Sequence, residues 1–153
     1  MFKSALSRLM TTDSSLASLV LRVPTGIIFM AHGSQKLFGA FGGYGLEGTG
    51  QWMASIGIEP GYLMALLSGS GEFFGGLAIL IGLLTRPAAA VLAFTMLVAI
   101  LTVHIGNGLF MSNNGYEYGL ALLTIAASLA ITGGGKLSLD RILQPGSNAV
   151  RED

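Results

Sequence analysis

Six ionisable residues stand inside, or at the ends of, strongly apolar stretches of this chain: Arg22, His32, Lys36, Glu72, His104 and Glu117. A charge at the centre of a bilayer costs about 2.5 to 3.5 kcal/mol on insertion scales, so such a group should face the protein interior and find a partner there. Glu72 is the candidate catalytic group, a carboxylate that could carry a proton, with Arg22 and Lys36 placed to stabilise negative charge. His32 and Lys36 are four residues apart and share one helix face. With His104 and Glu117 they put polar groups from three helices at one level, near the outer helix ends. A quinone headgroup, a small anion or another polar ligand could bind within such a bundle. Equally, the same groups could be solvated at the membrane interface. Haem between the two histidines, or a metal on His32, His104 and Glu117, is a further arrangement, but two histidines on different helices specify little by themselves.

Arg22 lies about 10 Å from one membrane boundary and Glu72 about 15 Å from the other, counting 1.5 Å per residue from the expected helix ends. In a core about 30 Å thick they are close in height. The expectation is an Arg22 to Glu72 pair, either locking two helices together or tuning a functional carboxylate. Both readings stay open on sequence alone. Around Glu72 stand Gly69, Gly71, Gly75, Gly76 and Gly82, and the Gly71/Gly75 spacing is the small-residue pattern that lets helices approach closely.

The elements that must position these residues follow from composition. Of 153 residues, 52% are hydrophobic and 10% charged, with a mean hydropathy of +0.68. Soluble domains carry about 25% charged residues, so this composition belongs in a bilayer. Four apolar runs are expected as spans: about Leu16 to Ala31, continuing to Lys36; Tyr62 to Leu84; Pro87 to Ile105; and Tyr118 to Ile131, which is short and recruits Glu117 and residues 132–134. Pro87 suits the first position of the third helix. Between spans one and two, Gln51 to Ile58 reads as a short interfacial helix with Trp52, Met53 and Ile56 on one face and Trp52 as anchor.

The whole chain, 1–153, is thus expected to be one all-α domain, an integral membrane four-helix bundle with short tails. Lys3, Arg8, Arg86, Lys136, Arg141 and Arg151 gather on one side, against Lys36 with Glu47, Glu59 and Glu117 on the other. Both termini should therefore be cytoplasmic. Basic residues before an apolar stretch also describe a secretory signal. Here the stretch holds Arg22 and lacks a small-x-small cleavage site, so an uncleaved first helix is expected.

Several functions are excluded. The 8 basic and 8 acidic residues balance, which removes the electrostatic footprint of a nucleic-acid binder. With no cysteine there can be no disulfide, thiol exchange or cysteine-held iron–sulfur cluster within this chain. No Walker loop, dinucleotide fingerprint or HExxH is present.

The chain resembles the DoxX family of small bacterial membrane proteins, related to the DoxD subunit of thiosulfate:quinone oxidoreductase. The carriers are Arg22, His32-Gly33-Ser34-Gln35-Lys36-Leu37, Gly71-Glu72-Phe73-Phe74-Gly75-Gly76, Gly82-Leu83-Leu84-Thr85-Arg86, Asn114-Gly115-Tyr116-Glu117 and Leu139-Asp140. The resemblance implies a four-helix protein of the bacterial inner membrane and, for some members, quinone-dependent sulfur oxidation or membrane redox complexes. The leading expectation is a component of a quinone-linked redox system, with electrons arriving from a substrate or a redox partner protein. A non-enzymatic scaffold, alone or as a homo-oligomer, is the alternative. A solute carrier fits less well, since no internal repeat is evident.

Overall fold

Twenty-two residues from Ala17 to Phe38 form the first helix, α1, about 33 Å long, which ends where Gly39 takes a left-handed φ of 70° and donates its N–H to the Ser34 carbonyl. The computed structural model describes residues 16–144. Lys3, Arg8, Arg151 and both chain termini lie outside them. The other helices are α2 (Gly45–Ser55), α3 (Gly61–Ile81), α4 (Thr85–Ala99), α5 (Glu117–Thr132) and the short α6 (Leu139–Leu143). A π turn, Ile100–His104, and a 3₁₀ turn, Ile105–Asn107, prolong α4. There is no strand among the described residues.

Two helical stretches are long and apolar enough to cross a membrane, Gly61–Ile81 and Thr85–Asn107. α1 has the length, but Arg22, His32, Gln35 and Lys36 interrupt its apolar character. α5 is apolar but, with 16 residues, only about 24 Å long. All four long helices nevertheless share one core. Phe29 from α1, Ile79 from α3, Ala89 and Leu92 from α4, and Leu122, Ala126 and Leu129 from α5 are buried together. Large apolar side chains such as Val20, Phe74, Phe94 and Ile131 point outward and stay exposed.

The antiparallel contact of α1 with α3 is the most extensive in the molecule, and glycines on both helices set its register. A Cβ on Gly33 would stand 2.4 Å from the Phe73 nitrogen, and one on Gly26 2.8 Å from the Gly76 oxygen. On α3 the matching positions are Gly69 and Gly76. The Gly71/Gly75 pair that the sequence singled out turns instead toward α4, against Val91 and Leu92. Close packing is therefore present on both sides of α3, and the α1 side uses a seven-residue glycine spacing.

Two local expectations are corrected. The helix between spans one and two begins at Gly45 rather than Gln51 and ends at Ser55. It buries Thr49, Gly50 and Met53, while Trp52 and Ile56 stay exposed, so the three apolar residues do not form one face. Gly50 is pressed against the backbone of Gly61 and Tyr62, which docks α2 on the start of α3. Pro87 occupies the third position of α4, not the first. Its missing N–H costs nothing there, because the first turn of a helix has no intrahelical acceptors for its N–H groups.

Candidate functional site

Glu72 lies midway along α3, on the face turned to α1 between Gly69 and Gly76. Its side chain is 3% exposed and its partner is Lys36, with Nζ 2.5 Å from Oε2 and the lysine side chain 24% exposed. Side chains on a helix lean toward its N-terminus. On antiparallel helices Lys36 and Glu72 therefore lean toward each other. A carboxylate this deep is tolerable because the ammonium supplies both charge and hydrogen bond.

The expected Arg22 to Glu72 pair does not form. The glycine contacts set Gly33 between Gly69 and Phe73, level with Glu72, and Arg22 beside Gly82, about 15 Å away along the helix. Arg22 also leans away from Glu72, toward the end of the molecule that carries Arg86, Lys136 and Arg141. There it is buried and donates to four carbonyls: Nε to Gly134 at 3.0 Å, Nη1 to Ile79 at 3.3 Å and to Leu80, and Nη2 to Leu137. A planar guanidinium with five N–H donors suits that task as no other side chain does.

Asp140, beyond the last apolar run where the sequence pattern gives it no role, completes this basic end. It is 1% exposed, and its two carboxylate oxygens accept from the backbone N–H groups of Leu84 at 2.7 Å and Thr85 at 2.9 Å. Thr85 opens α4, so a negative charge sits on the positive end of that helix. The Asp140 N–H returns to the Gly82 carbonyl at 2.8 Å. Gly82 has a φ of +71°, and a Cβ there would stand 2.5 Å from the Ser138 Cβ and 3.2 Å from the Arg22 Cζ. Segment 133–140 thus clamps α1, α3 and α4 through Arg22 and Asp140, which makes Arg22 a structural residue in this fold rather than a neighbour of Glu72.

At the opposite end the outer polar group divides in two. His32 is exposed, one turn before Lys36, and its ring lies 6.4 Å from that of Tyr118 on α5. Tyr118, the first residue of the fourth apolar run, stands in the first turn of α5, which brings it beside His32. His104 and Glu117 are engaged elsewhere. His104 Nδ1 lies 2.9 Å from the Asn114 carbonyl, and Asn107 Nδ2 donates to the same oxygen at 3.2 Å. Glu117 Oε1 accepts from the Met111 N–H at 2.6 Å. Both residues fold the 108–117 loop on itself. The structure brings together Lys36, Glu72, His32 and Tyr118, and gives His104 and Glu117 to loop closure in place of the single expected pocket.

The DoxX family model matches residues 17–105, which contain Arg22, His32, Lys36, Glu72 and His104 and stop short of Glu117 and Asp140. Over 131 residues the chain is 38% identical to a Bacillus subtilis protein named "Putative oxidoreductase CatD", covering 86% of this chain and 90% of that relative. It is 39% identical over 131 residues to the Escherichia coli inner membrane protein YqjF, covering 82% and 90% of the two chains. With the E. coli inner membrane protein YphA it shares 30% over 128 residues, covering 80% and 87%. No solved structure matches. An all-helical chain with membrane-capable apolar helices, matched by the family model over more than half its length and similar along most of it to inner membrane proteins, belongs to the DoxX family of membrane proteins.

Proposed function

We propose that the chain is a four-span protein of the bacterial inner membrane, both termini cytoplasmic, serving as the membrane component of a quinone-linked redox system. Its working centre is the Lys36–Glu72 pair with His32 and Tyr118 beside it. The observation that carries this reading is the Glu72 carboxylate, held nearly fully buried at mid-helix and joined to the outside through Lys36, which is itself partly exposed. Reduction of a quinone to a quinol takes two electrons and two protons. A buried carboxylate with an exposed imidazole nearby can relay protons to such a headgroup, and Lys36 can donate a hydrogen bond to a quinone oxygen. With no cysteine in the chain, electrons would come from a substrate, a bound cofactor or a partner protein.

Charge placement supports the topology. Of the described cations, Arg22, Arg86, Lys136 and Arg141 belong to one end of the bundle, and Lys36 at the other is neutralised by Glu72. That asymmetry supports a cytoplasmic Arg86 end. α5 and the interrupted α1 then complete the four spans, with α2 at the outer interface. One observation favours a scaffold as the second reading: Arg22 and Asp140 serve helix assembly alone. Extraction into native nanodiscs with mass spectrometry of the retained lipids separates the two. The redox reading expects quinone enriched over its ratio in bulk membrane and depleted in Glu72→Gln. A bulk ratio in the wild type, with a protein partner in stable stoichiometry, would replace it with the scaffold.

A further inference from the structure

Two cavities border α1 near the Lys36 end of the Lys36–Glu72 pair. The first is an open cleft of about 290 Å³ between the end of α1, the 42–44 turn and α2, lined among others by Gln35, Lys36, Tyr44, Thr49 and Trp52. The second is a groove of about 260 Å³, lined by Ile27, Met30, Ala31, Ser34, Phe41 and Leu80. Consecutive residues of the same two stretches of chain border them. Ser34 borders the groove and Gln35 the cleft; Phe41 borders the groove and Gly42 the cleft. Ile27, Met30, Ala31 and Ser34 follow helical spacing, so the groove runs down one face of α1 for about 10 Å into the apolar region.

We infer that this pair of cavities is the binding site of one prenylated quinone, its ring in the cleft and its isoprenoid chain in the groove. The inference rests on the quinone reading above and deepens it by naming where each part of the molecule lies. Three observations select this ligand. The cleft offers the Gln35 amide and the Lys36 ammonium as donors, yet the Lys36 charge is already balanced by Glu72 at 2.5 Å. Donors without net charge suit neutral carbonyl oxygens and are poorly matched to a phosphate. The Trp52 and Tyr44 side chains, 41% and 81% exposed, supply flat faces for a planar ring. The groove borders the residues next to those of the cleft and is walled almost wholly by apolar side chains, as a chain attached to the ring requires. Lys36 then touches both the ring and the buried carboxylate.

The chain has a single tryptophan, Trp52, so its emission reports on the cleft alone. Quinones quench indole emission at short range by accepting an electron. Full-length protein in phosphatidylcholine nanodiscs is titrated with ubiquinone bearing two isoprene units, and separately with the same headgroup lacking the chain. Quinone retained is measured in parallel by equilibrium dialysis. The expected result is saturable quenching by both, tighter for the prenylated form. Ala31→Phe, which fills the groove, should weaken the prenylated form by about tenfold and leave the chainless one unchanged. Gln35→Leu should weaken both. Ser34→Leu narrows the same groove and stands in should Ala31→Phe fail to fold. Saturable retention with no saturable Trp52 quenching would overturn the cleft assignment while leaving the quinone reading intact. No saturable retention at all would overturn both. Displacement of the quinone by phosphatidylglycerol would overturn the assignment in favour of a lipid headgroup.

Discussion

Removing Lys36 should do more damage than removing Glu72, although they are partners in one ion pair. Lys36→Met leaves the Glu72 carboxylate, 3% exposed, without its counter-charge. Stranding one member of a buried pair costs about 3 to 5 kcal/mol, and Lys36, 24% exposed, places this case near the lower figure. Glu72→Gln keeps the shape and strands an ammonium that is already partly exposed and sits in the last turn of α1, free to turn outward. That change should cost about 1 kcal/mol, the worth of the lost hydrogen bond. The double variant Lys36→Met, Glu72→Gln should be more stable than Lys36→Met alone, with a coupling energy of about 1 to 3 kcal/mol. The assay is reversible denaturant unfolding in mixed micelles, followed by circular dichroism, on the four proteins of the cycle. Strictly additive losses, or a Glu72→Gln loss as large as that of Lys36→Met, would refute the pairing and the burial asymmetry together.

Other consequences are separable. Arg22→Lys cannot reproduce a fork reaching carbonyls of Ile79, Leu80, Gly134 and Leu137, and should cost about 1.5 to 3 kcal/mol in the same assay; combined with Glu72→Gln the losses should add within about 0.5 kcal/mol, since the two sites share no partner. Asp140→Asn removes the anionic cap of α4 and should lower stability by about 1 kcal/mol, and hydrogen exchange should show the loss at the Leu84 and Thr85 amides. Gly33→Val drives a side chain into the Phe73 backbone, so α1 must lift from α3, at a cost of about 1 to 3 kcal/mol in the same unfolding assay. His104→Ala should speed proteolysis within 108–117, whereas His32→Ala should leave that loop unchanged.

The helices were legible because apolar runs bounded by Gly39, Gly82, the 106–115 turn residues and Gly133 announce their own ends. The register between helices was not. Depth counted from assumed boundaries made Arg22 and Glu72 neighbours, whereas van der Waals contact of Gly26, Gly33 and Gly76 across the two helices sets them about 15 Å apart. The signal was in the sequence: glycines seven apart on both helices, aligned antiparallel, with side chains leaning to each N-terminus, send Arg22 away from Glu72 and Lys36 toward it. His104 and Glu117 misled for another reason. Helix ends at a common level look like a shared pocket until the connecting loop claims its own hydrogen-bond partners, and an asparagine-rich loop presents many carbonyls and amides to claim. Asp140 lies beyond the last apolar run, where periodicity carries no information, and its role depends on the chain folding back onto Gly82.

The most direct test of the central claim, that a quinone binds beside the Lys36–Glu72 pair against α1 and α2, is photo-labelling with an azido-ubiquinone in native membranes, followed by peptide mapping of the modified residues. The account predicts label between positions 27 and 52, competed by unlabelled ubiquinone and reduced in Lys36→Met. Label spread over lipid-facing residues such as Phe94 and Ile131, and insensitive to competitor, would contradict it.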